Sequence, residues 1–446
     1  MKLFSDLKLK FESPDWSKNP EFGLIDTVLE NHPELYGIVA NDITSGHKET
    51  GFGRGDKPTV EQIARAAMYK EMKGLDYREL EYAQSDSRIC ANFIKLDERK
   101  PFSFSMFQQY ISKITAESLD KFLVALNKIA ISEGLEDVKK LRMDSTVVES
   151  NIKYPTNNNL VWDCIHESHR LLEHLAEECE RLDWRDYRKA AKKVHFKINN
   201  TKGAEVRTEL FRKQLITFTK CINQVSNIIK KKVNTVRGVI LLDELKDMLL
   251  LMEWVYEIVH CKEILGEKVD NEDKLFSIYE MHTDIIVKGQ RDIQFGHKVN
   301  LATGSGNLIL DCDVLKGNPA DTTLYQPTMD RIIERYGITP RDSSTDGGYA
   351  STANLDYAKD KGIINIVYNK VRGCLQNCCT SKNIETILKK WRSGMEAVIS
   401  NLKRGFNLRR CNWKGWEHFQ AKVYWSVIAY NFRVMTSLVI QQIQAV

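Results

Sequence analysis

The segment LRMDSTVVES, residues 141–150, decides how this chain folds. Leu141, Met143 and Val147 alternate with polar residues, and β-branched side chains are frequent, which is typical of a strand with one apolar face. Asp144 then lies on the opposite face, because successive side chains of a strand alternate. The segment therefore predicts a β-strand that carries a carboxylate on its polar side.

The residues before this strand predict helices. Thr59 begins a helical pattern of apolar residues, and Asp76 has the position of a helix cap for a second run. We predict an all-α N-terminal domain over residues 1–135. A DNA-binding helix-turn-helix with Arg78 among its phosphate contacts is one interpretation, and a packed helical cap or dimerisation element is the other. Periodicity alone does not separate the two.

After the strand, helical periodicity returns and continues from about residue 160 to about residue 270. We interpret this stretch as a helical insertion. It contains a basic run that includes Lys192 and Lys193. This run predicts either an arm that faces DNA or a solvated helix face on which acids and bases alternate.

Strands resume after residue 285. Residues 293–302 and 308–314 predict a hairpin around a glycine-containing turn, and residues 338–344 predict a strand that leads into Asp346. The apolar run 363–368 predicts a buried central strand, and a helix follows over residues 391–403. Together with the first strand and the intervening helices, this order predicts a mixed α/β layer fold over residues 136–446.

The last predicted helix places three charged residues on one face. Steps of four and seven residues return to nearly the same direction, so Arg392, Glu396 and Lys403 lie together. In isolation this pattern also fits an ordinary ion-pair stripe. Asp144 could likewise end a strand, and Asp346 before two glycines could belong to an ordinary turn.

Taken as a set, the three acids suit one chemistry. Phosphodiester transfer uses a pair of metal ions that activate the attacking oxygen and stabilise the leaving one, and hard cations prefer carboxylate oxygens. One of the three could bridge two ions, with each of the others completing one site. We therefore predict that Mg²⁺ or Mn²⁺, two ions per site, is held by these three residues.

Composition narrows the class of protein. The chain has 446 residues and a net charge of +5, so the overall charge says little about partners. Residues 370–414 contain eleven Lys or Arg against two acids, which favours a polyanionic partner over a plain solvated face. The scattered cysteines, including Cys374, Cys378 and Cys379, suit free thiols better than a zinc site. We expect neither a leader peptide nor a membrane span, and a cytoplasmic location.

Four strings of this sequence resemble bacterial insertion-sequence transposases of the DDE superfamily, in particular the ISNCY group. The strings are RMDSTVVESNIKYPT, HTDIIVKGQRDIQFGHKV, STDGGYAS and the spacing Arg392-x3-Glu396-x6-Lys403. The stretch before them looks like the InsH-like N-terminal helical domain of such proteins, which favours the DNA-binding interpretation of the head. The resemblance implies an RNase H-like catalytic core, with the helical insertion after its first strand.

The resemblance also implies roles for individual residues. Asp144, Asp346 and Glu396 match the three catalytic, metal-binding acids of the family, and Arg392 and Lys403 match residues beside the DNA backbone. We expect further DNA contacts from basic residues of the same regions, namely Arg404, Lys288, Arg78, Lys192 and Lys193. Where the related signature has a tyrosine three residues before its arginine, this chain has Lys389, so that tyrosine's role does not transfer.

The implied function is a DNA transposase that hydrolyses a phosphodiester at each transposon end and joins the freed 3′-hydroxyl to target DNA. Its partners would be the terminal inverted repeats and the target, bound by a homodimer or larger assembly in the bacterial nucleoid. Two alternatives remain. One is a nuclease of the same fold that cuts without joining, and the other is a DNA-binding protein derived from a transposase.

Overall fold

The computed structural model describes residues 16, 19–45, 57–96, 100–179, 181–288, 292–371 and 375–444, without the side chains of residues 288 and 292. The chain divides into two compact units. One comprises Met1–Ser150 with Ile286–Val446, and the other is Asn151–Ile285. The functional boundaries expected at residue 135 and at about residues 160 and 270 remain predictions.

The described residues before the first strand form helices joined by short loops. Thr59 caps one of them, because its side chain accepts from the Gln62 amide at 3.2 Å while the Gln62 side chain accepts from the Thr59 amide. Asp76 and Glu79 form the same reciprocal cap on the next. Both predicted helix starts are confirmed. The helices are α1 Pro20–Asn31, α2 Glu34–Thr44, α3 Val60–Lys73, α4 Tyr77–Asp86, α5 Arg88–Phe93, α6 Phe104–Ile111 and α7 Ala116–Ser132.

A mixed sheet forms the centre of the first unit. The order runs β2-β3-β1-β5-β6, with β4 beside β3 and β7 beside β1. β1 is antiparallel to β3 and parallel to β5, and β5 is parallel to β6. The mixed α/β class is confirmed. The strands are β1 Lys140–Ser150, β2 Asp284–Lys288, β3 Asp292–Thr303, β4 Ile309–Val314, β5 Asp342–Asp346, β6 Asn365–Asn369 and β7 Arg410–Cys411.

The predicted hairpin is confirmed as the antiparallel pair β3 and β4. Its turn is stabilised by the buried carboxylate of Glu136, which accepts from the backbone amides of Ser305 at 2.9 Å and Gly306 at 2.7 Å. Burial raises the pKa of Glu136, and these backbone donors act in the opposite direction. The turn is thus fixed by a residue from the segment that leads into β1.

The C-terminal helices differ from the prediction in one respect. The expected continuous helix over residues 391–403 was wrong, since α14 Lys382–Arg392 ends before α15 Gly394–Gly405 begins. Two further helices, α12 Tyr325–Tyr336 and α13 Thr352–Asp360, pack near the strands that they connect. The β5 strand also begins and ends later than expected, so that Asp346 is its last residue.

The longest helix, α16 Trp416–Gln444, is apolar enough by length and composition to cross a membrane. It is the one such helix among the described residues. Most of its apolar window, 61%, is buried inside the protein, where α16 packs against α7 and α3. A core helix of a folded domain has the same properties, so α16 is weak evidence for a membrane span.

The second unit is helical and has a core of its own. Its apolar side chains, among them Leu172, Phe218 and Met252, form one buried cluster. The predicted breaks near residues 200 and 235 are observed, and a further break separates the first two helices. The helices are α8 Asn157–Glu177, α9 Arg188–Asn200, α10 Ala204–Ile228 and α11 Val236–Val259, followed by a π-helix at His260–Leu265.

Candidate active site

Asp144 lies in the middle of β1, with β3 on one side and β5 on the other. Its neighbours Leu141, Met143 and Val147 are buried in the core, so the strand position is fixed by packing. The Asp144 Oδ1 atom accepts a hydrogen bond of 2.8 Å from the backbone amide of Ser145. The carboxylate is partly buried, with 19% of the side chain exposed.

Asp346 is placed beside Asp144 by the parallel pairing of β1 and β5. Met143 pairs with Thr345, and the two aspartates are the next residue along each strand. After Asp346 the chain turns sharply at Gly347. A side chain at residue 347 would lie 2.7 Å from the backbone oxygens of Asn369 and Lys370, so this position requires glycine.

Glu396 reaches the same place from the first turn of α15. It is the most exposed of the three acids, with 69% of its side chain accessible against 41% for Asp346. Beside Asp346 a cavity of about 590 Å³ is lined by Gly348, Ser351 and Lys370. Asp346 therefore borders open space, and Glu396 is largely exposed to solvent.

The guanidinium group of Arg392 connects all three acids. Its Nη2 atom lies 2.6 Å from Asp144 and 3.9 Å from Asp346, and its Nη1 atom lies 3.3 Å from Glu396. The Arg392 side chain is only 7% exposed, and within the described part of the chain its buried Nε atom has no hydrogen-bond partner. The residues that the sequence singled out are thus brought together, but around a cation that the chain itself supplies.

Arg142 explains why α14 ends at Arg392. This buried arginine, two residues before Asp144 and on the same face of β1, donates to the Trp391 carbonyl at 2.6 Å and lies over the Trp391 ring. It also donates to Thr303 and Asn307. A side chain at Gly394 would collide with its guanidinium group. Arg142 therefore fixes the junction from which Arg392 and Glu396 project.

A second network, which sequence reasoning missed, lies next to Asp144. Asp321 accepts from the Lys298 ammonium at 2.6 Å and from the Ser145 hydroxyl at 3.0 Å. Burial raises the pKa of Tyr349, and the nearby carboxylates of Asp321 and Asp144 raise it further. The protonated Tyr349 hydroxyl donates to the Asn300 side chain. The available signal was Lys298 itself, because a lysine within the apolar strand β3 requires an acidic partner.

The residues expected to contact DNA belong to several elements of both units. Arg392 is buried among the acids, whereas Arg404 is exposed on α15 and Lys403 is partly buried. Arg78 is exposed and lies over the Phe104 ring. Lys192 and Lys193 are exposed on α9 of the other unit, and the side chain of Lys288 lies outside the described residues.

Among the residues that the structure describes, no group of three or more His, Cys, Asp or Glu side chains is arranged to hold a metal ion. Cys374 lies outside those residues, and Cys378 and Cys379 are free thiols. The donor set of three carboxylates nevertheless has the chemistry that a hard divalent ion prefers, since all three converge on one cationic group.

The family comparison covers part of this arrangement. A family model described as Transposase DDE domain matches residues 288–432. This range contains Asp346, Arg392 and Glu396, whereas Asp144 precedes it. The match supports a DDE-type transposase family. No curated protein and no solved structure gives a significant match.

The match carries several coarse consequences. A transposase domain of this family implies that DNA is a partner, and it suggests a metal-dependent nuclease or transferase kind of activity. The mixed sheet is consistent with the core of such a domain. Asp144 joins the matched residues through β1, which pairs with β3 and β5 from inside the matched range.

Proposed function

We propose that this protein is a DNA transposase of the insertion-sequence type, similar to the ISNCY group, with Asp144, Asp346 and Glu396 as its catalytic acids. The observation that carries the proposal is their convergence on one guanidinium group from β1, β5 and α15. These acids are separated widely in sequence. An ordinary ion-pair stripe would involve one helix only, whereas this arrangement involves two strands and a helix.

The strand order supports an RNase H-like core. β3 is antiparallel to both β1 and β4, whereas β1, β5 and β6 run parallel. Two neighbouring parallel strands each supply one acid, and the helix after the sheet supplies the third. In this proposal residues 136–446 form the catalytic domain, interrupted by the helical insertion, and residues 1–135 are an InsH-like head that reads transposon ends.

DDE transposases generally use divalent metals, and we propose Mg²⁺ or Mn²⁺ at the three carboxylates. Two such ions, when bound, would activate the attacking oxygen and stabilise the leaving one. The chain's own contribution is positioning: the Ser145 amide orients Asp144, and Arg142 fixes the α14–α15 junction that carries Glu396. Arg392 must move off the acids for ions to enter, and a DNA phosphate offers its guanidinium an alternative partner.

The proposed reaction has two steps. Water attacks the phosphodiester at a transposon end, which breaks the P–O3′ bond and leaves a 3′-hydroxyl and a 5′-phosphate. The 3′-hydroxyl then loses its proton and attacks a target phosphodiester, whose own 3′-oxygen leaves. Lys403, Arg404, Lys288, Arg78, Lys192 and Lys193 are proposed to bind the DNA backbone, in a homodimer or larger assembly at the bacterial nucleoid.

The test is cleavage of a duplex that carries the inverted repeats flanking the coding sequence, in the presence of Mg²⁺. Asp144→Asn and Glu396→Gln should each lower the cleavage rate by about 10³-fold or more while DNA binding persists. Asp330→Asn is the matched control, because Asp330 forms a surface ion pair with Lys361 away from the site.

The products distinguish the alternatives. Joined target DNA supports the transposase, and cleavage without joining supports a nuclease. DNA binding by a wild-type protein that never cleaves supports a transposase-derived binding protein. Normal cleavage by Asp144→Asn would rule out the assignment of the acids.

A further inference from the structure

A fourth carboxylate, Asp321, contacts Ser145, the residue that follows Asp144. It begins a short 3-10 turn, Asp321–Thr323, and its Oδ1 atom accepts from both Lys298 and Ser145. Sequence reasoning assigned this residue no role. Its side chain is partly exposed, so the contacts are not a consequence of deep burial.

Lys298 holds Asp321 in place. The lysine side chain is 7% exposed, and its ammonium group also donates to the Pro319 carbonyl at 2.7 Å. One buried cation therefore fixes both residue 319 and residue 321 against β3. Desolvating an ammonium group is unfavourable unless it is paired, so Lys298 requires the Asp321 carboxylate as its partner.

From Asp321 the network reaches Asp144 through one residue. The Ser145 hydroxyl donates to Asp321, and the Ser145 backbone amide donates to the Asp144 Oδ1 atom at 2.8 Å. Both contacts fix the same residue, one through its side chain and one through its backbone. The orientation of the Asp144 carboxylate is thereby linked to the position of Asp321.

Asp321 also lies against the chain that follows Asp346. A side chain at Gly348 would lie 2.9 Å from the Asp321 Oδ2 atom. Asn354 ties the two turns together, because its amide donates to the carbonyls of Thr322 and Tyr349, both at 2.8 Å. Asp321 thus touches the neighbours of two acids that stand on different strands.

We infer that Asp321 is a positioning residue of the site, which acts through Ser145 on the metal-binding carboxylate of Asp144. The inference rests on the proposed function, since it takes Asp144 to bind a divalent ion. Groups that orient a metal ligand from behind typically change metal affinity about 10–100-fold when they are removed. Asp321 and Ser145 belong to one path, so their effects should not add.

The experiment measures Mn²⁺ binding to the full-length protein without DNA, from the loss of the free-Mn²⁺ electron paramagnetic resonance signal. Asp321→Asn and Ser145→Ala should each weaken binding about 10-fold or more, and the double variant should be no weaker than the weaker single variant. Ser145→Ala leaves the Lys298–Asp321 pair intact, so its result does not depend on tolerance of an unpaired lysine. Asp330→Asn should bind like the wild type.

The outcomes separate the inference from the proposal beneath it. If Asp144→Asn abolishes Mn²⁺ binding while Ser145→Ala and Asp321→Asn bind normally, the metal site stands and the role of Asp321 is overturned. Multiplying effects in the double variant would also overturn the shared path. If Asp144→Asn binds Mn²⁺ like the wild type, or if neither the wild type nor Arg392→Gln, which lacks the guanidinium group among the acids, binds Mn²⁺, the metal site itself fails and the inference fails with it.

Discussion

Two arginines in the first unit each pair with three acids, yet the two networks differ. Arg65, on α3, contacts Asp26 and Glu30 at 2.6 Å and Glu61 at 3.0 Å. Its side chain is fully buried, and all three of its nitrogen atoms take part in hydrogen bonds. At Arg392 the corresponding distances run from 2.6 to 3.9 Å.

The further contacts of the two arginines also differ. The network at Arg65 includes a second cation, Lys95, which pairs with Glu30 and Glu61, and the Tyr36 hydroxyl accepts from the Arg65 Nε atom. At Arg392 the Nε atom is buried without a hydrogen-bond partner in the described residues, and Glu396 is largely exposed. Because the hydrogen bonds at Arg65 are complete, we expect this network to stabilise the fold. Because those at Arg392 are incomplete, we expect its acids to be available to another cation.

The largest expected effect is at Arg65. Arg65→Met leaves three acids close together beside the core, so we expect the free energy of unfolding to fall by about 3–5 kcal/mol. Urea denaturation measures this, and Mn²⁺ should not restore the loss. Lys121→Met, which removes a fully exposed ion pair with Glu117, should leave the free energy of unfolding almost unchanged. If Arg65→Met lowers the free energy of unfolding as little as Lys121→Met does, the Arg65 network does not stabilise the fold.

A smaller effect is expected at the junction that carries Arg392. Gly394→Ala brings a methyl group against the buried Arg142 guanidinium, which its own hydrogen bonds hold in place, and should cost about 1–3 kcal/mol. Gly37→Ala is the control, since a side chain there meets nothing within 4 Å on helix α2 and should be neutral or stabilising. If Gly394→Ala and Gly37→Ala are equally stable, Arg142 accommodates a methyl group at residue 394 without loss of stability.

The smallest effect on stability is expected at Arg392 itself. Arg392→Gln should lower the free energy of unfolding by about 1 kcal/mol or less in EDTA, because only one acid lies within 3 Å of Arg392 and its buried Nε atom has no hydrogen-bond partner in the described residues. Mn²⁺ should then raise the melting temperature more than in the wild type, with Arg392→Lys intermediate. Differential scanning calorimetry with and without Mn²⁺ tests this. A loss as large as that of Arg65→Met, with no gain from Mn²⁺, would make the two networks equivalent.

Features that follow from local pattern were predicted well from the sequence. The alternation around Asp144 predicted β1, and the glycine-containing turn predicted the β3–β4 hairpin. The interpretation of Asp144 and Asp346 as catalytic acids depended on resemblance, because each of them taken alone also fits an ordinary strand end or turn. Pairing of β1 with β5 places them side by side, and that pairing is a long-range contact that no local pattern contains.

The features that were missed depend on contacts between distant residues. The break between α14 and α15 results from Arg142, which is far away in sequence, and helical periodicity continues across it. The DNA contact expected of Arg392 stays a prediction, but its contacts with all three acids come from distant parts of the sequence and follow from no local pattern. Asp321 carries no local signal, because its link to Ser145 exists only after β1 and the turn at Asp321 meet.

The sequence of the helical unit is inserted into that of the first unit, and this has a consequence for folding during synthesis. β1 leaves the ribosome before Asn151–Ile285, yet its partners β3 and β5 follow that whole segment. The contact between Asp144 and Arg392 spans 248 residues, and such non-local contacts form slowly because loop closure costs chain entropy. At about 5–20 residues per second, a ribosome needs about 7–27 seconds to synthesise Asn151–Ile285, and during this time β1 has neither β3 nor β5 to pair with. Assembly of the site is therefore a late event in the folding of the chain.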